Sequence, residues 1–171
     1  MYKEENIVNN ITRKELLERL FILLEQKNIT VSTAESCTGG LIAGAITSLA
    51  GVSSYYREGF VTYANEAKKK YLNVPSSTIE KHGAVSHQTA FYMVHGLLKN
   101  TGADVGVAVT GIAGPTGGTD DKPVGLVYIA TCAKEDATVT KNIFSGDREE
   151  VRRKTVDTAL KLLIQKIEEN F

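Results

Sequence analysis

The sequence has no tryptophan, three prolines and two cysteines among its 171 residues. The two cysteines, Cys37 and Cys132, are too few for a disulfide framework, and they lack the CxxC spacing of a zinc or redox site. No apolar run approaches the length of a transmembrane helix. The polar start, MYKEENIVNN, has no apolar segment of the kind found in secretory signals. These absences predict a cytoplasmic protein in a reducing compartment.

An excess of charge of either sign is also missing. The 20 basic and 20 acidic residues give a formal charge of zero, so no long-range field attracts nucleic acid or an anionic membrane. We therefore expect neither kind of partner. The length and the apolar fraction of 42% are typical of one globular domain with its own core. Residues 1–171 are predicted to form a single domain, with disorder expected in residues 1–11.

Hydrophobic periodicity indicates alternating helices and strands. The predicted strands lie in ITVSTA, YYREGFVTYA, ADVGVAVTG, GLVYIATC and ATVTKNIF. The predicted helices lie in TRKELLERLFILLEQK, TGGLIAGAITSLAG, NEAKKKYL, SSTIEKH, HQTAFYMVHGLLKN and residues 148–169, with N-caps at Thr12 or Asn10, Asn65, Ser86 and Asp147. The last two strands, parted by AKED, resemble a hairpin. The pattern predicts a three-layer α/β/α fold with a mixed, mostly parallel sheet closed by an antiparallel hairpin.

The stretch TAESCTGG joins a predicted strand to a predicted helix. A turn there, with a helix opening at residues 38–40, directs several backbone N–H groups at one point, which suits a phosphate or a developing oxyanion. A serine in such a turn can attack a carbonyl if a base takes its proton. Ser36 or Thr38 as a plain helix cap is an equally open interpretation. Cys37 is either a thiol nucleophile at a helix start or a small packing residue. Glu35, next to Ser36, could orient either the turn or a basic partner, and nothing local decides between the two.

The stretch YANEAKKKY contains three consecutive lysines, a pattern typical of a solvated helix face. Lys68 is the exception to consider, because a helix that starts at Asn65 places it back beside the cap and close to Tyr63. A desolvated lysine there can lose its charge and act as a general base. The S-x-x-K spacing occurs nowhere in the chain, so any serine–lysine pairing must come from folding.

The loop TGIAGPTGGTDDKPVG follows the strongest predicted strand, where ligand loops of open α/β sheets lie. Its glycine spacing fits neither a Walker A loop nor GxGxxG, yet its N–H groups could hold a phosphate, with Lys122 nearby. Arg148 at the next helix start pairs with its cap or holds an anion, whereas Arg152 is predicted as surface charge. The three histidines share no metal-ligand spacing.

Five ordered blocks carry a family resemblance: TAESCTGG, EGFVTYANEAK, HGAVS, VTGIAGPTGG followed by KPVG, and FSGDREEVR. They run from about Thr30 to Arg153 and resemble the blocks of the CinA carboxyl-terminal domain family. The length is similar to that of the standalone members, which are nicotinamide-nucleotide amidases. We therefore expect no preceding nucleotide-pyrophosphatase-like domain. Relatives also imply a homo-oligomer, dimeric or larger.

The resemblance implies hydrolysis of nicotinamide mononucleotide to nicotinate mononucleotide and ammonia, without a metal or other cofactor. The family's nucleophile falls on Ser36, and the tyrosine and lysine of its YxNExK block fall on Tyr63 and Lys68. Lys68 would take the Ser36 proton, relayed or oriented by Tyr63. The oxyanion donors expected are the N–H groups of Cys37, Thr38, Gly39 and Gly40. The substrate-binding residues expected are Glu35, Asn65, Thr110, Gly111, Ile112, Ala113, Gly114, Gly117, Gly118, Lys122 and Arg148.

Other functions remain open at this point. One is a non-catalytic nucleotide-binding or regulatory module of the same fold. Another is an amidase with a different substrate, or a thiol enzyme that uses Cys37. An assembly or DNA-uptake role has little support from a neutral chain.

Overall fold

The computed structural model describes residues 11–171. The prediction of disorder in residues 1–11 therefore falls outside the described residues, apart from Ile11. The helices are α1 (Arg13–Lys27), α2 (Leu41–Thr47), α3 (Asn65–Leu72), α4 (Ser76–His82), α5 (His87–Thr101) and α6 (Arg148–Asn170). The strands are β1 (Val31–Glu35), β2 (Tyr56–Val61), β3 (Val105–Gly111), β4 (Leu126–Ala133) and β5 (Asp136–Ile143).

The five strands form one open sheet in the order β2-β1-β3-β4-β5. β1 pairs in parallel with β2 and with β3, whereas β4 pairs antiparallel with β3 and β5. It follows that β4 alone runs against the others, and that β4 and β5 form the terminal hairpin. The predicted mixed sheet with a closing hairpin is confirmed.

Two hydrophobic clusters cover the two faces of this sheet. Leucines of α1, apolar residues of α2 and the long apolar face of α6 pack together with Val31, Val107 and Val109. Leu72 at the end of α3 and the inner face of α5 pack on the other side, against Ala34, Ala108 and Ala130. Residues that alternate along β1 and β3 thus serve opposite faces, which produces the three predicted layers.

Most predicted helix boundaries are confirmed. The side chain of Thr12 caps α1, Asn28 ends it in a left-handed conformation, and Ser86 and Asp147 cap α5 and α6. The prediction that Asn65 is an N-cap is wrong: Ala64 has the extended cap conformation and Asn65 is already helical. Helix α2 is also shorter than predicted, because Gly39 and Gly40 have φ of +61° and +97° and so lie in the turn before it.

The carboxyl ends of the parallel strands meet at one edge of the sheet. Glu35 at the end of β1 is in register with Val61 at the end of β2 and with Val109 in β3. After β1 the chain forms β2 on one side of β1, and it then returns to form β3 on the other side of β1. In open α/β sheets, ligands bind outside the strand ends at such a change of direction, and the segments after β1, β2 and β3 all lie here.

Candidate active site

Ser36 directly follows β1, in the turn that leads into α2. Its N–H donates to the Val109 carbonyl at 3.1 Å, which continues the β1–β3 pairing by one residue. The side chain of Glu35 turns the other way and is buried. Its carboxylate accepts from the N–H groups of Gly40, Ile42 and Ala43 at 3.0, 3.1 and 2.8 Å. The structure thus corrects the prediction that Glu35 binds substrate: it caps α2 and holds the turn.

The side chain of Lys68, in α3, reaches the hydroxyl of Ser36. Lys68 is only 1% exposed, and its Nζ lies 3.0 Å from Ser36 Oγ. The same amine donates to the main-chain carbonyls of Thr62 at 2.7 Å and Tyr63 at 3.4 Å. Both carbonyls belong to the short segment between β2 and α3. The spacing of 32 residues between Ser36 and Lys68 is closed by the parallel pairing of β1 with β2.

The surroundings of Lys68 disfavour its charge. Burial lowers the pKa of Lys68 from 10.5 to about 8. The three polar partners of its amine are a hydroxyl and two carbonyls, and none is a carboxylate. Neutral acceptors compensate a buried ammonium less well than an opposite charge does. Lys68 is therefore placed to exchange a proton with Ser36 near neutral pH.

The pKa of Cys37 shifts in the opposite direction to that of Lys68. Burial raises the pKa of its thiol to about 12, so the thiol keeps its proton and is a poor nucleophile. Its side chain belongs to the core cluster shared by α1, α2 and α6. Of the two alternatives for Cys37, the structure favours the packing residue.

The backbone N–H groups of the turn divide into two pairs. Gly39 donates to the Ser36 carbonyl at 3.0 Å, and Gly40 donates to Glu35. In contrast, the N–H groups of Cys37 and Thr38 have no acceptor within residues 11–171. Gly39 and Gly40 already close the turn, so the N–H groups of Cys37 and Thr38 are the ones that remain free among the four expected oxyanion donors.

The side chain of Tyr63 lies at the rim of the site. Its ring is 61% exposed, and its phenol oxygen accepts from Arg148 Nη2 at 3.0 Å. Within the described chain no hydrogen bond joins this phenol to Ser36 or Lys68. Of the two roles expected of Tyr63, relaying the proton or orienting Lys68, the contact of its main-chain carbonyl with Lys68 favours the second.

A pocket of about 360 Å³ opens beside the Ser36–Lys68 pair, a volume within the range of small-molecule sites. Most of the predicted site residues line it, together with three that were not predicted. The lining residues are Ser36, Cys37, Tyr63, Asn65, Lys68, Ala84, Val85, Thr110, Gly111, Ile112, Ala113, Gly114, Thr116, Gly117 and Arg148. Thr38, Gly118 and Lys122 do not line it.

The loop after β3 forms the wall opposite α3. Thr110 is buried and donates to the Ala84 carbonyl at 2.8 Å, which ties this wall to the segment between α4 and α5. Within the described chain, the N–H groups of Ala113, Gly114, Thr116 and Gly117 have no acceptor. Arg148 Nη1 donates to the Gly114 carbonyl at 2.8 Å, so a guanidinium stands beside these free donors.

Two residues predicted to bind substrate have structural partners instead. Lys122 donates to the His82 carbonyl at 2.6 Å, and it connects the far end of the loop to the end of α4. Gly118 packs against the backbone of Val124, where an ideal Cβ would lie 2.8 Å from the Val124 nitrogen. Both contacts hold the loop closed behind the pocket wall.

The sequence interpretation missed several residues of the site. Thr62 contributes only a carbonyl, and Ala84 and Val85 line the pocket without a reactive side chain, so no side-chain pattern could find them. Arg152 was predicted as surface charge, but its guanidinium contacts the carbonyls of Cys37 and Thr38. Its spacing of four residues from Arg148 puts both on one helix face, which is a signal that could have found it.

Residues 11–171 contain no group of three or more metal-ligating side chains positioned to hold a metal ion. Over the same residues, no helix combines the length and the apolar composition needed to cross a membrane. Both cysteines are buried and unpaired with each other.

Known proteins resemble this chain over most of its length. The family described as CinA C-terminal domain matches residues 13–167. A Clostridium novyi (strain NT) protein named as competence-damage inducible is 50% identical over 153 residues, which cover 90% of this chain and 36% of that protein. A CinA-like protein of Kosmotoga olearia is 48% identical over 148 residues and is covered to the same 36%. The chain thus spans little more than a third of the length of these curated relatives.

Solved structures extend the likeness to the whole fold. The crystal structure of a competence/damage inducible protein from Agrobacterium tumefaciens is 48% identical, with a TM-score of 0.88 over 90% of this chain and 94% of that one. A protein of the same description from Klebsiella pneumoniae is 37% identical, with a TM-score of 0.89 over 92% and 98% of the two chains. On the matched residues and the shared fold, the chain belongs to the CinA C-terminal domain family.

Proposed function

We propose that this protein is a nicotinamide-nucleotide amidase, which hydrolyses the carboxamide of nicotinamide mononucleotide to give nicotinate mononucleotide and ammonia. One observation carries the proposal: a buried lysine amine with a lowered pKa lies 3.0 Å from a serine hydroxyl at the mouth of a pocket. The names of the relatives refer to competence and damage and state no reaction. The substrate class comes from the family resemblance described in the sequence.

The hydrogen bonds of Lys68 suit a general base. A neutral amine has two N–H groups and one lone pair, and the two carbonyls of Thr62 and Tyr63 take both N–H groups. The lone pair then faces Ser36 Oγ and accepts its proton. Because the pKa of Lys68 is about 8, roughly a tenth of the molecules hold this neutral form at pH 7.

The reaction then needs only the chain's own groups and water. Ser36 Oγ bonds to the amide carbon while its proton passes to Lys68, and the carbonyl oxygen becomes an oxyanion beside the free N–H group of Cys37, which lines the pocket. When the C–N bond breaks, the proton returns from Lys68 to the nitrogen, and ammonia leaves. Water attacks the acyl-enzyme and gives a proton to Lys68. When the bond between the acyl carbon and Ser36 Oγ breaks, Lys68 returns that proton to Ser36 Oγ, and nicotinate mononucleotide leaves. No redox step and no co-reactant beyond water are required.

The rest of the pocket supports a substrate that carries an anion. Free N–H groups at Ala113, Gly114, Thr116 and Gly117, with Arg148 beside them, provide donors of the kind that hold a phosphate. They belong to the wall across from Lys68. A nucleotide that placed its phosphate on this wall would bring its amide group towards Ser36. The expected homo-oligomer and the cytoplasmic location are part of the same proposal and await their own tests.

The deciding experiment is ammonia release from nicotinamide mononucleotide in the presence of a chelator, measured for the wild type, Ser36→Ala and Cys37→Ala. We expect the wild type and Cys37→Ala to turn over, and Ser36→Ala to lose roughly 10³-fold or more in kcat because the acyl bond cannot form. Ser36→Ala should still bind nicotinamide mononucleotide in calorimetry.

Three results would contradict the proposal. A folded wild type that binds the nucleotide without turnover would identify a binding module. Loss of turnover in Cys37→Ala with retention in Ser36→Ala would identify a thiol enzyme. Turnover of a simple amide such as nicotinamide with none of the nucleotide would identify an amidase of another substrate.

A further inference from the structure

Arg152, on the second turn of α6, reaches back to the turn that carries the nucleophile. Its Nε donates to the Cys37 carbonyl at 3.2 Å and its Nη2 to the Thr38 carbonyl at 2.9 Å. The guanidinium lies over Gly39, where an ideal Cβ would be 3.3 Å from Nη2. The glycine that the positive φ requires thus also leaves room for the arginine. The side chain is half-buried between α6 and the turn.

These contacts determine which way the peptide groups of the turn face. In a trans peptide the carbonyl and the N–H point in opposite directions. The Ser36 carbonyl is held by the Gly39 N–H, and the Cys37 carbonyl is held by Arg152. The N–H groups of the same two peptides, those of Cys37 and Thr38, therefore face away from these partners, and neither meets an acceptor in the part of the chain described. Unpaired N–H groups at a buried turn are uncommon.

We infer that Arg152 is the positioning residue of the oxyanion site, an inference that rests on the proposed amidase function. Its guanidinium holds the Thr38 carbonyl, and the N–H of the same peptide, that of Gly39, holds the Ser36 carbonyl, which leaves the Cys37 N–H free beside the pocket. The guanidinium holds the Cys37 carbonyl as well. A cation on the carbonyl side of a peptide also polarises it and makes its N–H a stronger donor. Donors that are fixed before the reaction stabilise the charge of the transition state most effectively. Arg152 does this without touching substrate.

Arg148 and Arg152 lie on one face of α6 and contact different parts of the site. Arg148 lines the pocket and contacts Gly114 and Tyr63. Arg152 lies one turn further along α6 and donates to the carbonyls of Cys37 and Thr38. The planar guanidinium spans two carbonyls at once, and a lysine ammonium cannot reproduce that fork. A charge-conserving replacement should therefore recover part of the effect and not all of it.

The test compares kcat and KM for nicotinamide mononucleotide in the wild type, Arg152→Met, Arg152→Lys and the control Arg153→Met. Arg153 is the exposed neighbour, with its guanidinium 3.6 Å from Asp157. We expect Arg152→Met to lose about 30- to 100-fold in kcat with KM changed by less than about threefold, since the effect is confined to the transition state. Arg152→Lys should fall between Arg152→Met and the wild type, and Arg153→Met should match the wild type.

A second measurement does not depend on turnover. Pyridine-3-boronic acid forms a tetrahedral adduct with an active-site serine and places an oxygen where the oxyanion forms. Its affinity should fall in Arg152→Met by about the same factor as kcat. The midpoint of the pH dependence of kcat/KM should stay where it is, because the hydrogen bonds of Arg152 go to the turn and not to Lys68.

The outcomes separate the two proposals. An unchanged kcat in Arg152→Met, or a change in KM alone, overturns the role of Arg152 while the amidase stands. A wild type that neither turns over the nucleotide nor binds the boronate removes the amidase, and this inference with it. If Arg152→Met does not fold by circular dichroism, Arg152→Gln replaces it, since its amide can reach one carbonyl. Wild-type kcat in that variant overturns the inference.

Discussion

Two lysines of this protein are buried to nearly the same degree and lie in opposite surroundings. Lys68 is 1% exposed and Lys166 is 3% exposed. The amine of Lys68 meets a hydroxyl and two carbonyls, whereas the amine of Lys166 lies 2.8 Å from the carboxylate of Asp136 and 2.8 Å from the Thr138 hydroxyl. The first is at the carboxyl ends of β1 and β2, and the second is at the other edge of the sheet, where β5 begins.

The difference shows that burial alone does not make a base. At Lys166 the hydrogen bond and the charge of the lysine are the main reasons that the pKa of Asp136 lies below its ordinary value. At Lys68 no carboxylate of residues 11–171 forms a hydrogen bond with the amine, and burial lowers its pKa to about 8. A buried lysine with only neutral partners costs stability and is available for proton transfer. One with a carboxylate serves the packing of α6 on the hairpin.

The largest expected effect comes from replacing each lysine with methionine. Lys68→Met should lower kcat for nicotinamide mononucleotide about 10³- to 10⁴-fold, because Ser36 loses its base. Lys166→Met should change kcat by less than about twofold, since Lys166 contacts only the far edge of the sheet. Ammonia release under saturating substrate measures both. Similar losses in two folded variants would refute the distinction drawn between the lysines.

The stability of the wild type relative to Lys68→Met should change with pH. Below pH 8 the folded protein carries the buried charge, and lowering the pKa from 10.5 to about 8 corresponds to a cost of about 3 kcal/mol. Between pH 8 and 10.5 the unfolded state binds more protons than the folded state, so the free energy of unfolding of the wild type rises relative to the variant. Above 10.5 both states are neutral and the cost has gone.

Urea unfolding of both proteins at several pH values from 7 to 10.5 measures this difference. Lys161→Met, on the exposed face of α6, controls for the loss of one lysine. If the free energies of unfolding of the wild type and Lys68→Met differ by the same amount at every pH from 7 to 10.5, Lys68 keeps its charge over this range.

The smallest of the expected effects is the change of kcat/KM with pH. If Lys68 must be neutral to act, kcat/KM should rise with pH by about tenfold between pH 7 and 9, with a midpoint near 8. Lys166→Met should keep the same profile, because it leaves the surroundings of Lys68 intact. Initial rates at substrate concentrations well below KM give the profile. A rate that is flat or falls over this range would exclude neutral Lys68 as the base.

The sequence predicted the elements of the fold well, because their signals are local. Leucines at helical spacing mark α1, and Asp147 with Glu150 forms the capping box that starts α6. The cap of α3 was misassigned, since the conformation of Ala64 depends on how the chain leaves β2 and not on its side chain.

The site was predictable only in part. The approach of Lys68 to Ser36 depends on the pairing of β1 with β2, which no spacing along the chain reveals, and it entered through the family resemblance. Glu35 and Lys122 were expected to bind substrate, but the side chains of both form hydrogen bonds with backbone groups. Carbonyl acceptors such as those of Thr62 and Cys37 leave no mark in the pattern of side chains along a sequence.

The docking of α6 against the turn after β1 bears on how the protein is made. Translation produces Ser36 and Lys68 before Arg148 and Arg152, which belong to α6. A chain still attached to the ribosome therefore holds the reactive pair before the groups that complete the pocket and the turn exist. Such a nascent chain carries the proposed nucleophile without the rest of its site, and we expect turnover only once α6 has packed against the turn.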